Sequence, residues 1–102
     1  MAMVRAVGGK WITSVVSVAQ SAVDTDANGR LSVTISDLRK VVAAIPLIGG
    51  GYKAEIPSDG INGNTVTVVI YQYDYPAAAA GAAVALANAT DVAPLTIIAV
   101  GE

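Results

Sequence analysis

The chain has 102 residues, a formal net charge of −2, no cysteine and no histidine. This length allows one domain, and the missing side chains exclude disulfides, thiolate metal sites and the commonest general base and zinc ligand. Only 14% of the residues are charged, while 54% are hydrophobic. So few charged side chains cannot cover the surface of a small monomer, and we therefore expect some apolar surface to contact another subunit.

Neither nucleic acid nor a membrane is an expected partner. The six basic residues are scattered, and only Arg39 and Lys40 are neighbours, so no concentrated basic face is predicted. The longest apolar stretches, at 41–52 and 76–89, are shorter than the ~20 residues that span a bilayer. The N-terminus lacks the pattern of a signal peptide. We therefore expect a protein that is soluble when made.

The first two predicted strands flank a run of turn-forming residues. Residues 11–23, WITSVVSVAQSAV, are dense in β-branched side chains. From Trp11 to Val18, apolar residues occupy both faces, which predicts a strand covered on two sides. After DTDANG at 24–29, the segment RLSVTIS at 30–36 alternates apolar and polar residues, as in a half-buried strand with a polar outer face. The two segments together predict a hairpin.

The segment 36–45, SDLRKVVAAI, supports two interpretations. Ser36 could cap a short helix, since apolar residues recur there at helical spacing. However, Pro46 disfavours a helix directly before it, and the run IPLIGGGYKAEI suits a strand that leads into another hairpin. We favour a turn at Asp37-Leu38 followed by a strand.

A long strand is predicted at 65–75, TVTVVIYQYDY. It follows an alternating segment at 52–56 and the turn-rich run PSDGINGN at 57–64. Its even positions form an apolar face made of Val66, Val68 and Ile70. Its odd positions end in an aromatic ladder of Tyr71, Tyr73 and Tyr75 on the opposite face.

The end of the chain combines an alanine-rich segment with a last strand. Residues 76–90 predict a short helix beginning at Pro76 or a loosely ordered loop. The segment APLTIIAVGE closes the chain as a strand. Five or six strands with at most one or two short helices predict an all-β fold over residues 1–102. We expect a single-domain antiparallel β-sandwich, Ig-like or jelly-roll-like, or a small barrel.

The run VDTDANGRLSVTISDL begins like a calcium loop. Asp24, Asp26 and Asn28 would stand at positions 1, 3 and 5 of an EF-hand loop, followed by glycine at position 6. Position 12, however, is Ile35, so the bidentate acidic ligand is missing, and the flanks are strand-like. A hairpin turn favours the same residues because Asp, Asn and Gly adopt its backbone conformations. We favour the turn, with a weak calcium site as the alternative.

The sequence predicts no catalytic residue and no cofactor. Six serines are present, but no His or Cys could activate one, and no motif supports a Ser-Lys arrangement. The aspartates lie in or next to predicted turns, where solvated roles are typical. The glycine-rich runs at 49–53 and 60–64 lack the strand, loop and helix order of phosphate-binding motifs. We therefore expect a protein that is not an enzyme.

The tyrosine ladder is the strongest candidate for an interaction site. Tyr71, Tyr73 and Tyr75 could simply cover the edge of the core with their hydroxyls in water. They could also form a subunit contact, because tyrosine buries area at low entropic cost. A third interpretation is binding of carbohydrate or peptide, with Tyr71, Tyr73 or Trp11 as stacking platforms.

The segments NGRLSVTI, GYKAEIPSDGINGNTVTVVIYQYDY and LTIIAVGE resemble small β-sandwich modules of phage and virus structural proteins. Capsid-decorating proteins and tail-fibre tips contain such modules. The resemblance is one of pattern and covers about Val15 to Tyr75 and the last strand. It implies a homotrimer or larger assembly that uses sheet faces as contacts, together with other particle proteins as partners. It also implies a location in the virion, or in the cytoplasm before assembly.

Two functions follow as hypotheses. The first is a non-enzymatic structural protein that self-associates through apolar sheet surface, as a decoration, tail or surface module of a particle. The second is a glycan- or protein-binding β-sandwich module that uses the face of Tyr71, Tyr73 and Tyr75.

Overall fold

The structure, a computed structural model, describes residues 11–73 and 83–102. Within these ranges the chain forms eight strands and one short 3₁₀-helix, Gln20–Ala22. The strands are β1 (Ile12–Val18), β2 (Arg30–Thr34), β3 (Val41–Ile48), β4 (Tyr52–Glu55), β5 (Ile61–Asn62), β6 (Thr65–Tyr73), β7 (Ala83–Ala85) and β8 (Leu95–Gly101). All of their pairings are antiparallel.

Sheet A has three strands in the order β1-β8-β3. The central strand β8 pairs with β1 along its whole length without a break in register. On its other side β8 pairs with β3, where the register shifts between Val41 and Ala43 as in a β-bulge. Pro46 lies inside β3, and an edge strand tolerates it because a proline needs no partner for an N–H group.

Sheet B is built around the long strand β6, with β2 on one side and β4 on the other. The short strands β5 and β7 also pair with β6. Since β4 and β7 pair with the same residues of β6, Tyr71 and Gln72, they must lie on opposite sides of it. Each neighbour of β6 is therefore an interrupted strand, made of β2 and β7 on one side and β4 and β5 on the other.

The core lies between the two sheets. It combines the alternate residues Leu95, Ile97 and Ala99 of β8 with one face of β6, and every one of these side chains is fully buried. The buried face of β6 is Val66, Val68 and Ile70, as the sequence predicted. Full burial of each valine, leucine or isoleucine contributes about 1.5–3 kcal/mol, so this cluster is the main source of stability. The loop residues Val23, Ile35 and Leu38, together with Val41 of β3, complete it.

The predicted hairpin of the first two strands is wrong. Strand β1 belongs to sheet A and β2 to sheet B, so residues 19–29 cross from one sheet to the other. Val23 is fully buried at this crossing and anchors it in the core. The turn at the end of the crossing does form, with Gly29 at a φ of 76° that favours glycine. Each strand pairs with a long partner, β8 or β6, instead of with the other.

The second predicted hairpin is also a crossing between sheets. The structure confirms the turn and the strand expected around residues 36–45, since β3 begins at Val41. However, β3 pairs with β8 in sheet A while β4 pairs with β6 in sheet B. The connection bends sharply at Gly50 and Gly51, which have φ values of 66° and 62°. Glycine adopts this conformation without steric cost, so the chain can change sheets within a few residues.

The alanine-rich segment 76–90 lies partly outside the described residues. In its described part, Ala83–Ala85 is the strand β7 and not a helix, because the second half of β6 offers an open edge for it to pair with. The fold is therefore all-β: two antiparallel sheets packed together as one compact domain, a β-sandwich. Among the described residues, none of the helical segments has the length and hydrophobicity needed to cross a bilayer.

Candidate interaction surface

The outer face of sheet A is the side of that sheet that points away from the core. The strand register places nine residues on it: Thr13, Val15 and Ser17 of β1, Thr96, Ile98 and Val100 of β8, and Ala43, Ile45 and Leu47 of β3. Six of these side chains are apolar, three carry a hydroxyl group and none is charged. The middle row consists of Val15, Ile98 and Ile45 side by side.

The apolar side chains of this face are exposed to solvent. Val15 is 61% exposed, Ile45 58% and Leu47 50%, while Ile98 on the central strand is half-buried between its neighbours. Single exposed hydrophobic residues are normal on a protein surface, but a contiguous apolar patch is a mark of an interaction site. The prediction that β1 is covered on two sides is therefore wrong for one chain, since the Val15 side is open.

Polar groups lie at the two ends of this face. At one end, Arg39 and Glu102 form a loose ion pair at 3.9 Å, and the Arg39 backbone N–H donates to the Glu102 carbonyl at 2.7 Å. At the other end, the Gln20 side-chain amide donates to the Asp91 carbonyl at 2.9 Å. An apolar centre with a polar rim is the usual composition of a protein interface.

The outer face of sheet B, the side of that sheet opposite to the core, has a different composition. Lys53 and Glu55 form an ion pair at 2.9 Å on β4, with Val69 of the central strand next to Glu55. Across β6, Arg30 lies opposite Val69 and pairs with Asp59 at 3.5 Å. Charged side chains therefore flank Val69 on both sides, and it is only 7% exposed.

The predicted aromatic site is only partly described. Tyr71 lies on the outer face of sheet B, half-buried, with the Lys53 ammonium group 5.7 Å from the centre of its ring. Tyr73 pairs through its backbone with Ala83, and Tyr75 lies outside the described residues. A ring with an ammonium group over it is less available to stack on a sugar, because the cation already uses the electron-rich face.

Trp11 is not brought together with the tyrosines. It directly precedes β1 of sheet A, whereas Tyr71 is in β6 of sheet B. Its ring is half-buried, and its Nε1 atom is buried without a hydrogen-bond partner among the described residues. The two aromatic candidates therefore do not form one stacking platform.

The calcium-like run forms a turn held by backbone hydrogen bonds. Asp26 Oδ1 accepts from the backbone N–H groups of Asn28, at 2.8 Å, and Arg30, at 3.0 Å. These two bonds, the one from Arg30 first, hold the pKa of the Asp26 carboxyl below its usual value although the group is exposed. Asp24 Oδ1 instead accepts from the backbone N–H of Asp91 at 3.0 Å. Within the described ranges, no three acidic side chains are grouped to hold a metal ion.

A buried threonine joins this turn to the segment before β8. The Thr25 hydroxyl donates to the carbonyl oxygens of Leu86 and Ala89 and accepts from the Ala89 N–H at 2.9 Å. The Thr25 N–H also donates to the Ala89 carbonyl at 2.8 Å. These bonds fix the loop at one end of the sandwich.

The buried serine of sheet A has a structural partner. The Ser14 hydroxyl is on the core side of β1 and donates to Asp37 Oδ2 at 3.3 Å. Ser14 is buried, whereas Asp37 is exposed at the surface of the turn. The bond ties β1 to the turn before β3.

One feature of the sequence does indicate the outer face of sheet A, although the tyrosine ladder is more conspicuous. Strands β1, β3 and β8 contain no charged residue at all, whereas β2 and β4 contain Arg30, Lys53 and Glu55. Strands that are apolar on both faces are typical of sheets that are covered on both sides. The sequence alone does not show that the uncharged strands form one sheet, because β1, β3 and β8 are far apart along the chain. The strand order of the structure brings them together.

The chain matches no protein-family model, and neither the curated proteins nor the solved structures include one similar to it.

Proposed function

We propose that this protein is a non-enzymatic structural protein that self-associates through the outer face of sheet A. The observation that supports the proposal is the uncharged row Val15, Ile98 and Ile45 with its neighbours, which a single chain leaves in water. Removing such side chains from water contributes roughly 25 cal/mol per Å² of apolar area, so two such faces attract each other.

A second copy is the partner that fits this face best. A flat antiparallel sheet packs on another sheet at about 10 Å, with the side chains of the two faces interdigitating. The face offers no charge with which to select a polar partner. Its hydroxyl groups are short, so they do not prevent close packing. The polar rim at Arg39 and Gln20 then stays in water.

A component of a phage or virus particle is the setting that we propose for this assembly. The support is the resemblance of the strand segments to decoration and tail modules, which use sheet faces as contacts. Repeated self-association of a small β-sandwich suits such a role because many identical contacts add up over a particle. Three or more copies, with other particle proteins as neighbours, are expected.

The test is the molar mass in solution, measured by light scattering behind size exclusion over a tenfold range of concentration. We expect the native chain to give a multiple of its 10.2 kDa mass. The variant Ile45→Asp places a charge on the outer face of sheet A at an exposed site, so it should give a smaller mass. The matched control, Thr34→Asp, places the same charge at an exposed site of β2 in sheet B and should keep the native mass.

Two results would contradict the proposal. If the native chain is monomeric at every concentration, the protein does not self-associate. If Ile45→Asp has the same mass as the native chain, and circular dichroism shows that it is folded, the outer face of sheet A is not the contact.

A further inference from the structure

The two edges of sheet A differ in how open they are. Strand β1 forms one edge, and among the described residues only β8 pairs with it. Its sequence, ITSVVSV, contains no charged residue and no proline, and its register with β8 is unbroken. Natural proteins protect edge strands with charges, prolines or bulges. None of these devices is present in β1.

The opposite edge, β3, carries the protection that β1 lacks. Pro46 removes one hydrogen-bond donor in the middle of the strand, and the register shift at Val41–Ala43 bends its start. The Val41 N–H is already used, because it donates to the Gly63 carbonyl at 2.8 Å. Among the described residues, one edge of the sheet is thus protected against further strands while the other is open.

The open edge is self-complementary. If two copies of β1 pair antiparallel with Val15 opposite Val15, Ile12 meets Val18 and Thr13 meets Ser17, each a residue of similar character. Only the pair of Ser14 and Val16 joins a polar to an apolar side chain. The outer face then continues across the junction, because Thr13, Val15 and Ser17 stay on one side. The only polar residue on the core side, Ser14, keeps its bond to Asp37 within its own chain.

The area of the outer face gives a reason for such pairing. Three strands of about seven residues, spaced ~4.8 Å apart with a rise of ~3.4 Å per residue, have a footprint of about 350 Å². Stable interfaces bury about 800 Å² on each partner, so one sheet stacked on one other sheet is small for a stable contact. Joining two copies at β1 doubles the footprint to about 700 Å², close to this requirement.

We infer that two copies of this protein pair through β1, edge to edge and antiparallel, with Val15 on the two-fold axis. The inference rests on the proposed self-association and specifies its first contact. The result is a six-stranded sheet with one continuous outer face, β3-β8-β1 of one protomer followed by β1-β8-β3 of its partner. Two such sheets can then stack face to face, which gives a closed assembly of four chains.

Cysteine cross-linking tests the register, because the native chain contains no cysteine. Residues opposite each other in antiparallel strands have Cα atoms about 4.5–5.5 Å apart, within the range that a disulfide spans. The full chain with Val15→Cys should therefore form disulfide-linked dimers under mild oxidation. The matched control is Ile45→Cys, on the same face and equally exposed, 58% against 61%. It should stay reduced, because Ile45 is two strands away from the axis.

A second pair of variants tests the alignment of the strands. Thr13 faces Ser17 of the partner subunit in the inferred register, whereas two copies of Thr13 are separated by about four residues, or ~13 Å along the strand. Thr13→Cys alone and Ser17→Cys alone should give few dimers. An equal mixture of the two variants should give the linked heterodimer.

The outcomes separate this inference from the proposed function. If Val15→Cys stays reduced although light scattering of the unmodified chain shows a stable oligomer, edge pairing is wrong and self-association still holds. Dimers of Ile45→Cys in place of Val15→Cys would point to face stacking alone and overturn it as well. A chain that is monomeric at all concentrations, as when another segment of the same chain covers β1, would overturn both.

Discussion

The outer faces of the two sheets have opposite characters although both sheets belong to one small domain. The outer face of sheet A is uncharged, with Val15 and Ile45 more than half exposed. On the outer face of sheet B, the ion pairs of Arg30 and Lys53 flank Val69, and the hydroxyls of Ser32 and Thr67 are 2.9 Å apart. Sheet B has the composition of an antiparallel sheet with one face in contact with solvent. Sheet A has the composition of a sheet that is covered on both faces.

The comparison shows that the few charged residues are distributed unevenly between the two outer faces. A uniform shortage of charge would leave both faces equally apolar. Instead, the charged side chains of the described residues belong to the strands of sheet B and to the loops, and exposed apolar side chains collect on the outer face of sheet A. In the assembly that we propose, the contacts of sheet A close on themselves, whereas a further adhesive face on sheet B would allow more copies to add.

The largest effect is expected when sheet B is given the character of sheet A. The double variant Lys53→Val/Glu55→Val removes the ion pair next to Val69 and exposes apolar surface on the second face. Its mass should keep rising with concentration, while that of the native chain levels off. Light scattering over the same concentration series measures this difference.

The control removes the same charges from another place. Arg39→Val/Glu102→Val also deletes one basic and one acidic residue, but at the end of the sandwich. It should assemble like the native chain. If both double variants aggregate alike, the loss of charge itself matters and not its position on a sheet face.

A smaller effect is expected at Tyr71. Replacing it with leucine removes the ring under the Lys53 ammonium group, and such an exposed cation–π contact contributes about 0.5–1 kcal/mol. The free energy of unfolding measured in urea should fall by about this amount, with the mass of the assembly unchanged. Tyr71→Phe keeps the ring and should keep most of the stability. A clear fall in mass for Tyr71→Leu would instead make the tyrosine face a subunit contact.

The class of the fold could be predicted from the sequence because strand patterns are local. The alternation in β2 and the even face of β6 depend on the two-residue period of a strand, which the residues themselves carry. A strand in place of a helix at β3 was predictable because Pro46 disfavours a helix at the residue before it. The partner of each strand was not, since pairing depends on residues that are distant in sequence. Both predicted hairpins are crossings between sheets for this reason.

The candidate site was harder to predict than the fold. The tyrosine ladder is conspicuous because three aromatic residues stand close together in one segment, whereas Val15, Ile45 and Ile98 become neighbours only through the topology. An uncharged strand taken alone predicts burial, and the prediction for β1 was of this kind. In a single chain, Ser14, Val16 and Val18 of β1 face the core, and the opposite side of the strand is the candidate interface.

The smallest effect concerns Asp26, in the turn that ends the crossing from sheet A to sheet B. Its depressed pKa means that the folded state favours the carboxylate, so this stabilisation is complete above the usual value of about 3.8 and is lost as the pH falls through the lower folded value. The native chain should melt higher than Asp26→Asn near neutral pH, and the two melting temperatures should converge in acid. Asp26→Ala, which has no acceptor for the Asn28 and Arg30 N–H groups, should stay below both at every pH. A constant difference between the native chain and Asp26→Asn would mean that the charge is not what holds this turn, and that the crossing depends on the burial of Val23 instead.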